Sequence, residues 1–363
     1  MNRKEIQCDK CTFKSGMSCK KYSVLSKPSY IKNAYKECEF FLSNEPLKVN
    51  ISNETENRVK GAVFGAVIAD ALGVPVEFSN RSERDADKVK EMRAYGTYSQ
   101  PFGTWSDDSS LLLCLVETIA EGYTLEGLAE KFVKYMFDAY MTPFDSVFDI
   151  GNATAKAIRN IKSGISPEKC GGTGVSDNGN GSLMRILPLA FYIKDMPVSE
   201  QLRIIEEVSS VTHGHPVSVL ACIIYVYIAI NLFDGMDKKQ AYISAIDFVK
   251  NNTAHKYENY FSTFDRVLNG DIASLKENEV KSTGYVVDTL EASLWGFLNE
   301  KSYTDCVFRV INLGGDTDTI ACVAGGLAGI YYGFNAINDN WVQMLQKKEM
   351  IDEMVERYCQ SVK

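Results

Sequence analysis

From about residue 58 to the C-terminus, apolar residues recur at helical spacing. Leu111, Leu112, Leu113, Leu115, Val116 and Ile119 share one face of a predicted helix. That segment opens with Ser106-Asp107-Asp108, residue types that suit an N-cap and a first turn. Segments 125–140, 199–208, 217–233, 238–250 and 285–299 show similar periodicity. Alternation of period two bounded by turn residues is scarce, so the pattern predicts an all-α domain. The longest apolar run, 217–233, includes Ser218, Tyr225, Tyr227 and Asn231. A bilayer-spanning helix needs ~20 mostly apolar residues, so this run reads as a buried core helix and not as a membrane span.

Two predicted helices are unusual in their small residues: 61–72 (GAVFGAVIADAL) and 319–332 (TIACVAGGLAGIYY). Glycine costs roughly 1 kcal/mol relative to alanine inside a helix. So many of them point to close helix–helix approach in a crowded core.

The residues before this helical region have a different character. Residues 1–48 hold ten Lys or Arg against five Asp or Glu, a local +5, which leaves −13 on the other 315 of the 363 residues. The polar stretch 43–57 reads as a linker, giving a small basic module at 1–48, a linker at 49–57 and a helical domain at 58–363. The net charge of −8 argues against wholesale nucleic-acid binding by the main domain and leaves that question open for the basic module. Overall composition, 45% hydrophobic and 24% charged, is that of a globular protein. The polar N-terminus lacks the apolar stretch of a secretory leader. Cys114, Cys170, Cys222, Cys306, Cys322 and Cys359 show no framework spacing, so a monomeric, cytoplasmic protein with reduced thiols is expected.

Two acidic clusters lie more than 200 residues apart, each at a predicted helix start: Gly103-Thr104-Trp105-Ser106-Asp107-Asp108-Ser109 and Gly314-Gly315-Asp316-Thr317-Asp318-Thr319. Hard divalent cations take oxygen ligands, and two such clusters facing each other suit a pair of ions with shared carboxylates. One helix cap needs one side chain, and each cluster supplies more acid than capping requires. The loop Asn178-Gly179-Asn180-Gly181-Ser182, with its glycines and a following helix start, suits a phosphate held by backbone N–H groups, and equally a tight exposed turn. Of the three histidines, His213 and His215 precede the apolar run 217–233, and His213 is expected to contact a ligand or cap a helix. His255 is expected to be structural or at the surface.

In the basic module, Cys8, Cys11, Cys19 and Cys38 are spaced C-x2-C-x7-C-x18-C. Four thiols with one C-x2-C knuckle suit a tetrahedral Zn2+ site or an iron–sulfur cluster, and a metal would explain how so short a segment folds; unconnected free thiols or disulfides are the alternative.

Taken together, GAVFGAVIADALGVPVEF (61–78), GTWSDDSS (103–110), GNGSLMR (179–185), THGHP (212–216) and INLGGDTDTIACVAGGLAGIYYG (311–333) resemble, in the same order, the motifs of the ADP-ribosylglycohydrolases. The resemblance implies an all-α orthogonal bundle with a binuclear Mg2+ or Mn2+ site at the base of an ADP-ribose cleft. The ligands would be Ser106, Asp107, Asp108, Asp316, Asp318 and Thr319, with Ser106 standing where a threonine is usual. Glu77 matches a mobile acidic residue near the metals, and Asp149 an aspartate beside the substrate ribose. Gly151 would lie there too, and Gly179, Asn180, Gly181, Ser182 and His213 would hold the diphosphate. The implied reaction releases ADP-ribose from a protein side chain or small molecule, with Glu77 or Asp149 as the acid/base. The alternatives are a non-catalytic ADP-ribose binder and a hydrolase of another nucleotide-like substrate.

Overall fold

A computed structural model of the chain describes residues 51–269 and 272–362, together with the antiparallel backbone pair Lys14–Ser15 and Ser18–Cys19. The side chains of Cys8, Cys11, Cys19 and Cys38 lie outside the described residues. The main body is all-α. Its longer helices are α1 (Glu54–Gly73), α2 (Asp107–Ala120), α3 (Leu125–Asp138), α4 (Asn152–Lys162), α5 (Val198–Ser210), α6 (Pro216–Phe233), α7 (Lys238–Tyr257), α8 (Val286–Asn299), α9 (Tyr303–Ile311), α10 (Thr317–Tyr332) and α11 (Lys348–Ser361).

Helices α1 and α10 form the most extensive helix pair among the described residues. Their small residues explain how. A Cβ built on Gly61 would lie 2.1 Å from Gly329 O, and one on Gly65 would lie 2.5 Å from Gly325 O. The two backbones therefore touch with almost nothing between them, as the glycine content predicts. Ala69 belongs to the same seam, its methyl facing Gly325. Helices α6, α8 and α9 pack on α10, while α11 and α3 pack on α2, and α3 leads on to α4.

Helix α1, with the short turn after it, and helix α6 are long and apolar enough to cross a membrane, yet both are core elements: the apolar window of α1 is fully buried and that of α6 is 83% buried. The cysteines of the main body are buried free thiols. One expectation fails at the start of α1. Residues 54–57 belong to its first turn, not to a linker, because Asn53 caps the helix and Glu54 and Glu56 favour its positive end. Asn57 is already buried, accepting a hydrogen bond from Asn335 N (3.0 Å).

Candidate active site

The N-termini of α2 and α10 converge on one cleft of about 280 Å³, which brings together acids from opposite ends of the sequence. Thr319 Oγ1 lies 3.2 Å from Asp108 Oδ2, and Ser106 Oγ lies 3.2 Å from the same oxygen. Helix N-termini tolerate carboxylates because their unpaired N–H groups carry partial positive charge. Ser106 is the N-cap of α2, its Oγ accepting from Asp108 N. From α1, the fully buried Asp70 accepts from Ser106 N (3.0 Å) and Ser109 N (3.1 Å) and so fixes the turn that carries Asp107 and Asp108.

Glycines set the approach of the second cluster. Gly315 has a φ of +77°, and a Cβ there would lie 1.9 Å from Ser282 O. The turn passes between two chain segments, with Gly315 N donating to Ser79 O and Phe78 N to Gly315 O, both at 2.7 Å. That pairing draws Glu77, at the end of the turn following α1, against Asp316. One carboxylate oxygen each from Glu77, Asp316 and Asp318 falls within 4.8 Å of the other two.

Four of these acids each keep one oxygen without a partner. Glu77 Oε2, Asp108 Oδ1, Asp316 Oδ1 and Asp318 Oδ2 are buried without a hydrogen bond. Burial and mutual repulsion push Asp107, Asp108 and Asp318 well above the usual carboxylate range. Burial, with Asp149 and Asp316 nearby, pushes Glu77 up to about 9. Asp149 is also raised by burial, while Tyr98 and Glu77 hydrogen-bond it and oppose the rise. Tyr98 donates its phenol proton to Asp149 Oδ1. Asp149 holds a left-handed backbone, φ +60°, which is uncommon outside glycine and tends to mark functional positions.

The opposite wall is made by Gly179, Asn180, Gly181, His213 and the first turn of α4. Asn180 Nδ2 donates to Asp316 Oδ2 (2.8 Å) and Thr289 Oγ1 (2.9 Å), tying wall to floor. A Cβ on Gly181 would lie 2.8 Å from His213 Cε1 and 2.9 Å from Thr154 Oγ1. A family model described as ADP-ribosylglycohydrolase matches residues 51–363, which hold this cleft and all five of the motifs that resemble that family.

The chain belongs to the ADP-ribosylglycohydrolase family. It is accordingly a glycosidase-type hydrolase, acting on the glycosidic bond of ADP-ribose. It is similar to an ADP-ribosylarginine hydrolase, Tri1, of Pseudomonas putida (strain GB-1), at 30% identity over 83% of this chain and 77% of that one. It is also similar to the ADP-ribosyl-[dinitrogen reductase] glycohydrolase of Rhodospirillum rubrum, at 26% identity over 80% and 91%. A solved ADP-ribosylglycohydrolase-related protein complex shares the fold with a TM-score of 0.72 and 26% identity, over 85% of this chain and 99% of that one.

Within this glycohydrolase cleft, three expectations about the wall change. Ser182 does not line the cleft; its hydroxyl is buried 3.0 Å from Ser209 Oγ and within reach of Cys222 Sγ. The Asn180 N–H is already donated to Gly284 O (3.1 Å), because the loop pairs with the segment before α8. No long helix follows the loop either: residues 181–185 form turns. The helix N-terminus on this wall belongs to α4 instead, with Gly151, Asn152, Ala153 and Thr154 all on the cavity surface. Gly151 is its N-cap and offers no side chain, so first-turn N–H groups stay free for a ligand. The capping histidine is His215, whose Nδ1 accepts from Val217 N (3.2 Å), while His213 lines the cleft. His255 is exposed.

Sequence reasoning assigned no role to Asp70, Thr154 or Tyr98. Asp70 had a readable signal, a lone acid in an otherwise apolar helix that must be buried. Tyr98 had none, since it reaches the site from a polar loop.

Proposed function

We propose that this glycohydrolase removes ADP-ribose from arginine side chains of modified proteins, using two divalent ions, Mg2+ or Mn2+. The observation that carries the metal is the set of four unpartnered buried carboxylate oxygens at the cleft floor. Unpaired carboxylates are costly to bury, and an all-oxygen donor set suits a hard cation. Ser106, Asp107, Asp108, Asp316, Asp318 and Thr319 would hold the ions, with Glu77 beside them. When bound, such ions supply Lewis acidity and orient ribose hydroxyls or water. The arginine linkage draws its support from relatives at 29–30% identity that are named ADP-ribosylarginine hydrolases, against 22% for ADP-ribosylhydrolase ARH3 of Danio rerio.

In the reaction a water oxygen bonds to C1″ of the ribose as the C1″–N bond breaks, and the departing guanidine nitrogen takes a proton. Glu77 and Asp149 both line the cleft at the floor, with Tyr98 fixing Asp149, and these two carboxyl groups handle the protons. Carboxylates near C1″ also stabilise the positive charge that builds on the sugar. The free N–H groups of α4 and the Gly179–Gly181 loop hold the diphosphate, and His213 contacts it.

A panel of Arg-linked, Ser-linked and O-acetyl ADP-ribose, assayed with Mg2+, with Mn2+ and with EDTA, tests this reading. Release of ADP-ribose from the arginine conjugate is expected with either ion and not with EDTA. Full activity in EDTA would sink the metal assignment, and cleavage confined to the serine or acetyl conjugate would sink the linkage.

A further inference from the structure

Behind the loop wall lies a cation that the chemistry above does not use. Arg185 is completely buried, and each hydrogen bond it makes goes to an uncharged oxygen. Nε donates to Gly181 O (3.1 Å), and one terminal nitrogen, Nη2, donates to Val208 O (3.0 Å) and Thr212 Oγ1 (2.8 Å). The guanidinium lies 4.7 Å from the Phe132 ring centre, and its Nη1 has no partner. A charge buried without an ion pair is costly, and packing alone would favour an apolar side chain of similar size.

The contact with Thr212 has a chemical consequence. Thr212 Oγ1 lies 2.8 Å from His213 Nδ1 and, among the described residues, makes no other hydrogen bond besides the one from Arg185. A guanidinium can only donate, so the Thr212 oxygen accepts from Arg185. Its own O–H then needs an acceptor in surroundings sealed from water, and His213 Nδ1 is the one in reach. With Nδ1 accepting, the ring proton sits on Nε2. The ring meets the loop closely there: Nε2 lies 3.4 Å from the position a Cβ would take on either Gly179 or Gly181.

We propose that Arg185 and Thr212 are positioning residues that fix His213 in its Nε2–H tautomer, so that the imidazole turns a hydrogen-bond donor, and not a lone pair, toward an anionic group in the cleft. The anion is the diphosphate of the proposed substrate, so this inference rests on that reading. Burial, and next the Arg185 charge, hold the ring's pKa down to about 3, so the donor is available without protonation at working pH. The same residues brace the wall. Arg185 holds the Gly181 carbonyl, and the His213 backbone is tied to Ser209 by its N–H (2.8 Å) and its carbonyl (3.0 Å).

With three histidines in the chain, nitrogen NMR of the 15N-labelled full-length protein resolves the tautomer directly, with His213→Gln giving the assignment. The expected spectrum shows a protonated Nε2 and an unprotonated Nδ1 for His213. Thr212→Ser should keep both that signature and the affinity for ADP-ribose measured by calorimetry. Thr212→Val removes the hydroxyl at equal shape and should shift the signature and weaken ADP-ribose on the order of tenfold, the scale of one hydrogen bond to a charged group. Arg185→Lys keeps the charge without the fork and should fall between them. A protonated Nδ1 in the unaltered protein overturns the proposal, as does a Thr212→Val variant that binds like the parent. If the parent itself fails to bind ADP-ribose, the reading of the cleft falls, and the NMR signature still decides the tautomer.

Discussion

On the floor of the cleft, Glu77, Asp108, Asp316 and Asp318 keep buried carboxylate oxygens without a hydrogen bond. Across from them, Asn180, Thr212 and His213 are linked into networks, and the buried charge behind that wall is a cation, Arg185. Neither side is what stability alone would select, since unpaired buried charge of either sign opposes folding. The two sides are unsatisfied in opposite senses. The floor lacks positive charge and the wall lacks negative charge, which is the pairing that the proposed cations at the base and the proposed anionic ligand along the side would complete.

The largest effect should come from breaking the floor. Asp316→Ala or Asp318→Ala is expected to lower ADP-ribose release by about three orders of magnitude or more, consistent with losing Lewis-acid stabilisation of the transition state. Chromatographic assay of released ADP-ribose checks this, with folding followed by circular dichroism. Next come the two carboxyl groups assigned to proton transfer, Glu77 and Asp149. Glu77→Gln and Asp149→Asn should each cost roughly 10²- to 10⁴-fold in kcat, the range of general acid–base catalysis. The variant whose pH–rate profile loses a limb identifies the titrating group.

Altering the wall should act on binding more than on chemistry. Gly181→Ala pushes a methyl toward His213 and Thr154 and is expected to raise KM about tenfold while kcat changes little. A matching drop in kcat would mean that the wall shapes the reacting centre as well. The smallest effect concerns stability. Asp70 rises from 3.8 to about 6 and Glu77 from 4.5 to about 9, both chiefly through burial. Folding therefore favours their protonated forms, and this contribution is full below pH 4 and fades as pH rises through the folded values. In EDTA, the melting temperature should fall on the order of ten degrees between pH 5 and pH 8, since each pH unit between a group's unfolded and folded pKa removes about 1.4 kcal/mol. Mg2+ or Mn2+ should remove most of that slope, and an identical slope with and without the ion would argue against a metal on these carboxylates.

The floor was far more legible from sequence than the wall. Asp107, Asp108, Asp316 and Asp318 announce themselves by excess, more acids than a helix start can use, and local excess survives any long-range arrangement. The helices carrying them were legible too, because apolar periodicity is a local property. The wall depends on pairings that no local pattern encodes. Asn180 N–H is taken by Gly284, more than 100 residues later, which removes it from the phosphate contacts expected of a glycine loop. Ser182 looks like a ligand in the same motif, yet it faces Ser209 behind the cleft. Gly151 was placed by resemblance, but that it opens a helix aimed at the cavity is visible only once α4 is packed on α3.

Gly61 lies twelve residues from Gly73, about 18 Å along α1 at 1.5 Å per residue. A Cβ at Gly73 would sit 2.4 Å from Asp318 Cα, so the far end of the glycine seam bears on the floor of the site itself. At Gly61, Gly65 and Gly329 the nearest contacts across the seam are backbone, so no flexible side chain there absorbs a shift. A single methyl at Gly61 or Gly329 would therefore act on the carboxylates as a lever does, transmitting its displacement through rigid backbone. The seam works as the site's measuring gauge, so a substitution in a plain-looking apolar helix should disturb the spacing of the carboxylates as well as the packing of the fold.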